Sequence, residues 1–106
     1  MGEERTIIWT GKSGKEYRYL IYEIGTDFRA VAGNYIFSKE DTPKSWVPIY
    51  IGQTDNLNER FDNHHKMPCI RRNGGTHIHV HTNERESDRL AEEKDLIAKG
   101  ATPCND

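Results

Sequence analysis

The sequence predicts an α+β domain in which helices flank a small mixed or antiparallel β-sheet. Five stretches have the composition or the alternation of β-strands, and the clearest, residues 76–82, alternates strictly between histidine or threonine and apolar residues. Two other stretches open with cap-type residues and continue with apolar residues at helical spacing. Because strands and helices do not alternate regularly along the chain, the pattern favours separate layers over a parallel α/β fold.

The predicted elements follow one another with short connections. They are a hairpin over residues 6–24 around the turn Gly11–Lys15, strands over 30–37 and 46–51, a helix over about 55–66, a loop over 68–75, a strand over 76–82 and a helix from the Asn83 cap to about Lys99. A polar loop over 39–45 separates the third and fourth strands. We therefore expect one domain over residues 1–106, with the hairpin added to a core over 30–105.

Length and composition narrow the class of protein. A chain of 106 residues with 34% apolar residues can bury one core. The net charge of −2 lacks the basic balance typical of nucleic-acid-binding proteins, although a local patch can still be basic. We see no signal peptide and no apolar run long enough for a bilayer, so we expect a cytoplasmic protein with both Cys69 and Cys104 as free thiols.

The stretch from Tyr50 to His64 carries the strongest site signal. Tyr50 lies at the end of a predicted strand, just before Gly52 and the predicted helix. On that helix, Arg60 and His64 are one turn apart and share a face. A tyrosine, an arginine and a histidine are therefore expected to converge on one spot.

Glu93 lies in the predicted apolar stripe of the second helix, beside Leu90, Leu96 and Ile97. A carboxylate there must be paired or bound to a cation. From the residues alone, a salt bridge or snorkelling of the side chain at the edge of the stripe is favoured over a metal site. Its neighbour Glu92 is expected on the polar face.

Two other groups of residues have two readings each. His77, His79 and His81 share one face of a strand, where two of them can bind zinc or copper, but a solvent- or phosphate-facing surface is the favoured reading. The basic residues that follow the predicted site are either solvated surface or a path for phosphates. They are His64, His65, Lys66, Arg71 and Arg72.

The ordered set of motifs resembles the GIY-YIG nuclease family. In chain order these are Gly33-Asn34-Tyr35, Tyr50-Ile51-Gly52, Arg60 with His64, Glu93 ahead of Leu96-Ile97, and Asn105 after Pro103. The set covers residues 33–105 and is more specific than any one motif. The chain departs from the family at Asn34, which replaces isoleucine, at Gln53, which replaces lysine, and in a longer loop between the two tyrosines.

The resemblance implies a role for each residue. Glu93 would hold a single Mg²⁺ or Mn²⁺, and Arg60 would contact the scissile phosphate. Tyr35 would be the general base, Tyr50 and His64 would position or relay protons, and Asn105 would order the site. His65, Lys66, Arg71 and Arg72 would contact the nucleic acid.

The predicted function is that of a metal-dependent endonuclease that hydrolyses phosphodiester bonds of DNA, including structured or branched DNA. The alternative is a non-catalytic nucleic-acid- or protein-binding module on the same scaffold, and a zinc protein built on the histidine strand is a third reading. No separate DNA-binding domain is apparent. Targeting by a homodimer or by a protein partner therefore stays open.

Overall fold

A computed structural model describes residues 5–42, 45–58, 61, 64–100 and 102–105. The described elements are five strands and two helices. They are β1 (Thr6–Thr10), β2 (Glu16–Glu23), β3 (Gly33–Thr42), β4 (Ser45–Thr54), α1 (Met67–Arg72), β5 (His77–Thr82) and α2 (Glu86–Lys99). The predicted α+β class is confirmed.

The five strands form one antiparallel sheet in the order β1-β2-β5-β3-β4. The last strand in the chain, β5, therefore lies at the centre, between the N-terminal hairpin and the β3–β4 pair. The hairpin extends the sheet, and its turn is tied to α2. Ser13 donates backbone and hydroxyl hydrogen bonds to the Asp95 carboxylate at 2.9 and 2.7 Å.

Each face of the sheet buries its own core. On one face Tyr35, Phe37 and Val80 pack with α1 and with residues of the segment that precedes it. On the other face Tyr19 and Ile36 pack with Leu96 of α2.

Helices α1 and α2 cover the two faces of the sheet. Of the three histidines on β5, His79 is buried, whereas His77 and His81 are partly exposed. The solvent-facing reading is therefore wrong for His79 and stays a prediction for His77 and His81.

The predicted helix over residues 55–66 is wrong, since its described residues form turns and a single 3₁₀ position at Phe61. Asn56 and Asn58 donate backbone N–H groups to the side chains of Thr54 and Asn56, at 3.1 and 2.9 Å. Such local bonds compete with the helical ladder. The first helix lies instead in the predicted loop, where Pro68 stands at the helix start and costs no hydrogen bond.

The predicted polar loop over 39–45 is also mostly strand. β3 continues to Thr42 and β4 begins at Ser45, and these two residues are paired. The two strands thus form a long hairpin with irregular register.

The buried face of α2 differs from the predicted stripe. Leu90 is 46% exposed and Ile97 36% exposed, whereas Arg89 and Glu92 are each 3% exposed. The sheet beneath the helix offers polar partners to both charges, so these charges are buried and the two apolar residues are not. The assignment of Glu92 to the polar face is therefore wrong.

Cys69 of α1 and Cys104 are joined by a disulfide bond with a Cα–Cα distance of 5.9 Å. The expectation of two free thiols is wrong, because the fold brings together residues that are 35 positions apart. No described helix is long and apolar enough to cross a membrane. A cytoplasmic location stays a prediction.

Candidate active site

Tyr35, Tyr50 and His64 meet on the face of the sheet that carries α1. Tyr35 lies on β3 and Tyr50 on β4, and their rings stack at 6.1 Å between centroids. The Tyr35 hydroxyl is 2.8 Å from Nε2 of His64, and the Tyr50 and His64 rings are 4.9 Å apart. Tyr50 and His64, two of the three residues expected to converge, are thus in contact, and Tyr35 joins them.

The hydrogen bonds of His64 fix the position of its ring proton. The backbone N–H of Lys66 donates to Nδ1 at 3.1 Å, so Nδ1 carries the lone pair. In neutral histidine the proton is then on Nε2, which donates it to the Tyr35 oxygen. A hydrogen bond also links Tyr35 with Tyr50, and the three groups form one hydrogen-bonded group.

The surroundings shift both titrating neighbours of Tyr35. Burial, with the nearby charges of His65 and Lys66, lowers the pKa of His64 from 6.5 to about 4, so the ring is neutral at neutral pH. Burial and then the Glu93 carboxylate raise the pKa of Tyr50, and the hydrogen bond with Tyr35 offsets part of this rise. Glu93 therefore lies within electrostatic reach of Tyr50.

Gly52 explains how the two tyrosines come so close to the backbone of β4. Gly52 pairs with Tyr35 across the strands, and a Cβ at this position would lie 2.7 Å from Cζ of Tyr35 and 2.9 Å from Cε1 of Tyr50. Only a hydrogen fits there. The glycine of the Tyr50-Ile51-Gly52 motif thus makes room for the site.

Asn105 holds the end of β4 from the C-terminal segment. Its Oδ1 accepts from the Ile51 N–H and its Nδ2 donates to the Ile51 carbonyl, both at 2.8 Å. Thr102 also donates to Oδ1. Asn105 therefore clamps the backbone between Tyr50 and Gly52, and in this structure it acts on the site through that backbone.

Glu93 is half-buried on α2, and burial raises the pKa of its carboxyl group. In the part of the chain that the structure describes, no side chain donates a hydrogen bond to it or forms an ion pair with it. Of the two favoured expectations, a salt bridge is not formed with any described residue, whereas snorkelling is compatible with the half-buried position of the side chain. A partly desolvated carboxylate is the kind of group that a cation would stabilise.

The remaining predicted residues divide between the site and its surroundings. The His65 ring stacks on that of His64 at 4.5 Å and lies 6.2 Å from that of Tyr50. Lys66 precedes α1, and Arg71 and Arg72 are exposed in its last turn. Arg60 lies outside the described residues, and its predicted phosphate contact stays a prediction.

One polar cluster escaped the sequence analysis. The buried Glu92 accepts a hydrogen bond from the Tyr19 hydroxyl at 2.5 Å and pairs with Nδ1 of His81 at 3.0 Å. Arg89 beside it donates from Nε to Gln53 at 3.0 Å. Arg89, Glu92 and Leu96 have the spacing of one helix face. Because Arg89 and Glu92 are charged and their partners are distant in sequence, this pattern did not indicate a buried face.

The histidine strand is occupied by hydrogen bonds within the protein. His79 is fully buried, accepts from the Trp9 indole at Nδ1 and contacts the Ser38 hydroxyl at Nε2, both at 2.9 Å. Among the described residues there is no group of three or more histidine, cysteine or acidic side chains arranged to hold a metal. His79 and His81 thus have structural partners, and nothing in this geometry favours the zinc reading.

Comparison of the chain with family models, with curated proteins and with solved structures finds no match. The assignment of function therefore depends on the chemistry of the site.

Proposed function

We propose that the protein is a metal-dependent endonuclease of GIY-YIG type that hydrolyses phosphodiester bonds of DNA. The observation that carries this proposal is the hydrogen-bonded group of His64, Tyr35 and Tyr50, with the half-buried Glu93 of α2 within electrostatic reach of Tyr50. These residues come from distant parts of the sequence, and each stands at a position that the ordered motifs select.

The chain of hydrogen bonds supports a base at Tyr35. A tyrosine removes a proton from water only as a phenolate, and a phenol has an ordinary pKa near 10. His64 is neutral and donates from Nε2 to the Tyr35 oxygen, which stabilises the phenolate. The Tyr50 hydroxyl is a second group that can donate to this oxygen. Tyr35 would then take the proton of the attacking water as the new O–P bond forms. The bond from phosphorus to the leaving nucleotide oxygen would break in the same step, and that oxygen would take a proton from solvent.

The donor set at Glu93 is compatible with Mg²⁺ or Mn²⁺. Magnesium in phosphoryl-transfer sites is commonly held by one or two carboxylates, with water and substrate phosphate completing the shell. A site with one protein carboxylate needs no cluster of protein ligands. When bound, such an ion would neutralise charge on the phosphate, and Glu93 would hold it.

The basic residues around α1 provide a route for the DNA backbone. His65, Lys66, Arg71 and Arg72 lie in or next to this helix, which begins just beyond His64. A local group of cations can attract phosphates although the whole chain has a net charge of −2. Under this proposal Arg60 belongs to the same surface and contacts the scissile phosphate.

Nicking of supercoiled plasmid tests the proposal. We expect cleavage by the wild-type protein in Mg²⁺ or Mn²⁺, none with a chelator, and a rate lower by at least about 100-fold in Glu93→Gln. Glu86→Gln is the matched control, because Glu86 is an exposed glutamate in the first turn of the same helix. Equal cleavage by wild type and Glu93→Gln would refute the assignment.

The second candidate is a binding module without catalysis. The acidic net charge favours it, and so does Gln53, whose side chain is engaged by Arg89 at the position where the family carries a lysine. In that case the wild-type protein and Glu93→Gln would both bind DNA in a salt-sensitive manner, and neither would cleave it.

A further inference from the structure

A concave surface, separate from the candidate active site, lies on the same face of the sheet as Tyr35. Val80 pairs with Tyr35 of β3 on one side and with Leu20 of β2 on the other, so the three side chains share this face. Beyond Leu20 the structure has a cavity of about 560 Å³. This volume is within the range of sites that hold small ligands.

The cavity exists because two neighbouring strands separate. The pairing of β2 with β5 ends at Leu20 and Val80, although β2 begins at Glu16 and β5 continues to Thr82. The segment after β2 forms the opposite wall. It is held by hydrogen bonds from the Leu57 N–H to the Val31 carbonyl at 2.7 Å and from Asn58 Nδ2 to the Phe28 carbonyl at 2.6 Å.

The lining combines aromatic rings with cations. Tyr22 and Phe28 are half-buried and meet edge to face at 5.1 Å. Arg18 and Arg29 are exposed, and neither guanidinium forms an ion pair with a described residue. Asp27 is the one acidic side chain of the lining.

This combination matches the parts of a nucleotide. Bases stack on aromatic side chains, and guanidinium groups bind phosphate through their planar fork of donors. A carboxylate can accept an N–H from the edge of a base. A ligand with only a ring or only a phosphate would leave half of these groups unused.

We propose that this cavity binds one nucleotide unit, with its base against Tyr22 and Phe28 and its phosphate against Arg18 and Arg29. The unit is either a free nucleoside monophosphate or one nucleotide of a single strand. Binding here needs neither Glu93 nor a metal, so the proposal stands apart from the proposed hydrolysis.

The wall of the cavity packs against the candidate active site through aromatic rings. The Phe28 ring contacts that of Phe61 at 6.1 Å, and the Phe61 ring contacts that of Tyr35 at 4.9 Å. Two ring contacts thus connect the wall of the cavity with the candidate active site.

Calorimetric titration with AMP tests the proposal, with adenosine and ribose 5-phosphate as half-ligands. We expect saturable binding of AMP, weaker by at least about 10-fold for either half-ligand and for the double variant Arg18→Ala/Arg29→Ala. Phe28→Leu keeps the apolar bulk and removes the ring, and a loss of about 5-fold or more is expected. Lys94→Ala, an exposed change on α2, should bind AMP as the wild type does.

Because Phe28→Leu can loosen the core, the two exposed arginines decide the result. Unchanged AMP affinity in Arg18→Ala/Arg29→Ala, or no AMP binding at millimolar concentration, would overturn the proposal. Unchanged affinity in Glu93→Gln is expected whether or not the protein cleaves DNA. A failure of the proposed hydrolysis is thereby separated from a failure of this site.

Binding of a labelled single-stranded ten-nucleotide DNA distinguishes a free nucleotide from one nucleotide of a strand as the ligand. If the nucleotide belongs to a strand, the oligonucleotide binds more tightly than AMP and AMP displaces it. If the ligand is a free nucleotide, AMP binds more tightly. In both cases the arginine double variant must weaken the tighter ligand.

Discussion

At the scale of single residues, Gly52 sets the geometry of the candidate active site. The Tyr35 ring lies directly over it, and an added Cβ would be 2.8 Å from the Tyr35 hydroxyl oxygen. Both tyrosines are large and one is buried, so neither can give way cheaply.

We predict that Gly52→Ala destabilises the fold by about 1–3 kcal/mol through overpacking and lowers any nuclease activity by displacing Tyr35 from His64. Urea denaturation and plasmid nicking measure the two effects. Gly100→Ala is the control, because nothing lies within 4 Å of a Cβ there. Equal stability of the two variants would contradict this account of Gly52.

Two adjacent glutamates on α2 have different expected roles, one in the stability of the fold and one in the proposed catalysis. Glu92 is buried with Tyr19 and His81 as partners, whereas burial disfavours the charged form of the Glu93 carboxyl group. We predict that Glu92→Gln costs about 1–3 kcal/mol of unfolding free energy, because it removes the charge that His81 pairs with. Glu93→Gln should leave stability equal or higher and affect only cleavage.

The same pair of glutamates predicts a change in the pKa of His81 that NMR can measure. The hydrogen bond to Glu92 is the main cause that raises the pKa of His81 above 6.5, although burial opposes it. In Glu92→Gln the pKa of His81 should fall, and in Glu93→Gln it should stay where it is. A His81 titration that is the same in all three proteins would contradict the pairing.

At the scale of elements, local patterns predicted the strands well and the helices less well. The alternation of residues 76–82 depends on neighbours in sequence, so it predicted directly which residues share each face of β5. The turns after Thr54 depend on side chains that compete with the helical ladder, and the sequence alone did not reveal which would win.

The candidate site was predictable in the order of its motifs and not in its contacts. Tyr35, Tyr50 and His64 were selected from the sequence, and the structure brings them together. The burial of Glu92 required knowledge of Tyr19, a residue 73 positions away. Charges buried against distant partners leave no apolar periodicity to detect.

The disulfide connects two elements next to the site. Cys69 lies on α1, and Cys104 precedes Asn105, which holds Ile51. Closing a loop of this length restricts the unfolded chain, and we predict that reduction lowers stability by about 2–4 kcal/mol. The loosened C-terminal segment should also lower cleavage, because Asn105 no longer holds β4 in place.

Thiol titration and thermal melts with and without reductant check this prediction. The native protein should show no reactive thiol until it is reduced. Cys69→Ser is the control, and its melting temperature should not respond to the reductant. A wild-type protein with the same insensitivity would contradict a stabilising disulfide.

At the scale of the whole molecule, the two covered faces of the sheet place one histidine in the interior. His79 lies at the centre of the sheet, fully buried, and burial lowers its pKa from 6.5 to about 3, with the charges of His77 and Arg5 acting in the same direction. At pH 5 the folded protein leaves His79 neutral, whereas the unfolded chain protonates it.

The sign of the pH dependence follows from this difference. Between about pH 3 and 6.5 the unfolded state binds more protons, so stability falls as the pH is lowered. For His79 alone the loss between pH 7.5 and pH 5 is about 2 kcal/mol. His64 acts in the same direction, and the raised pKa of His81 acts in the opposite one.

We therefore predict that the fold is less stable in mild acid and that His79→Gln flattens this dependence. A glutamine can accept from Trp9 and donate to Ser38, the two partners that hold the histidine. Urea denaturation at pH 7.5 and pH 5 should show a loss for the wild type that exceeds the loss for the variant by about 2 kcal/mol. If both proteins lost the same stability, protonation of His79 would not be what links acid to unfolding.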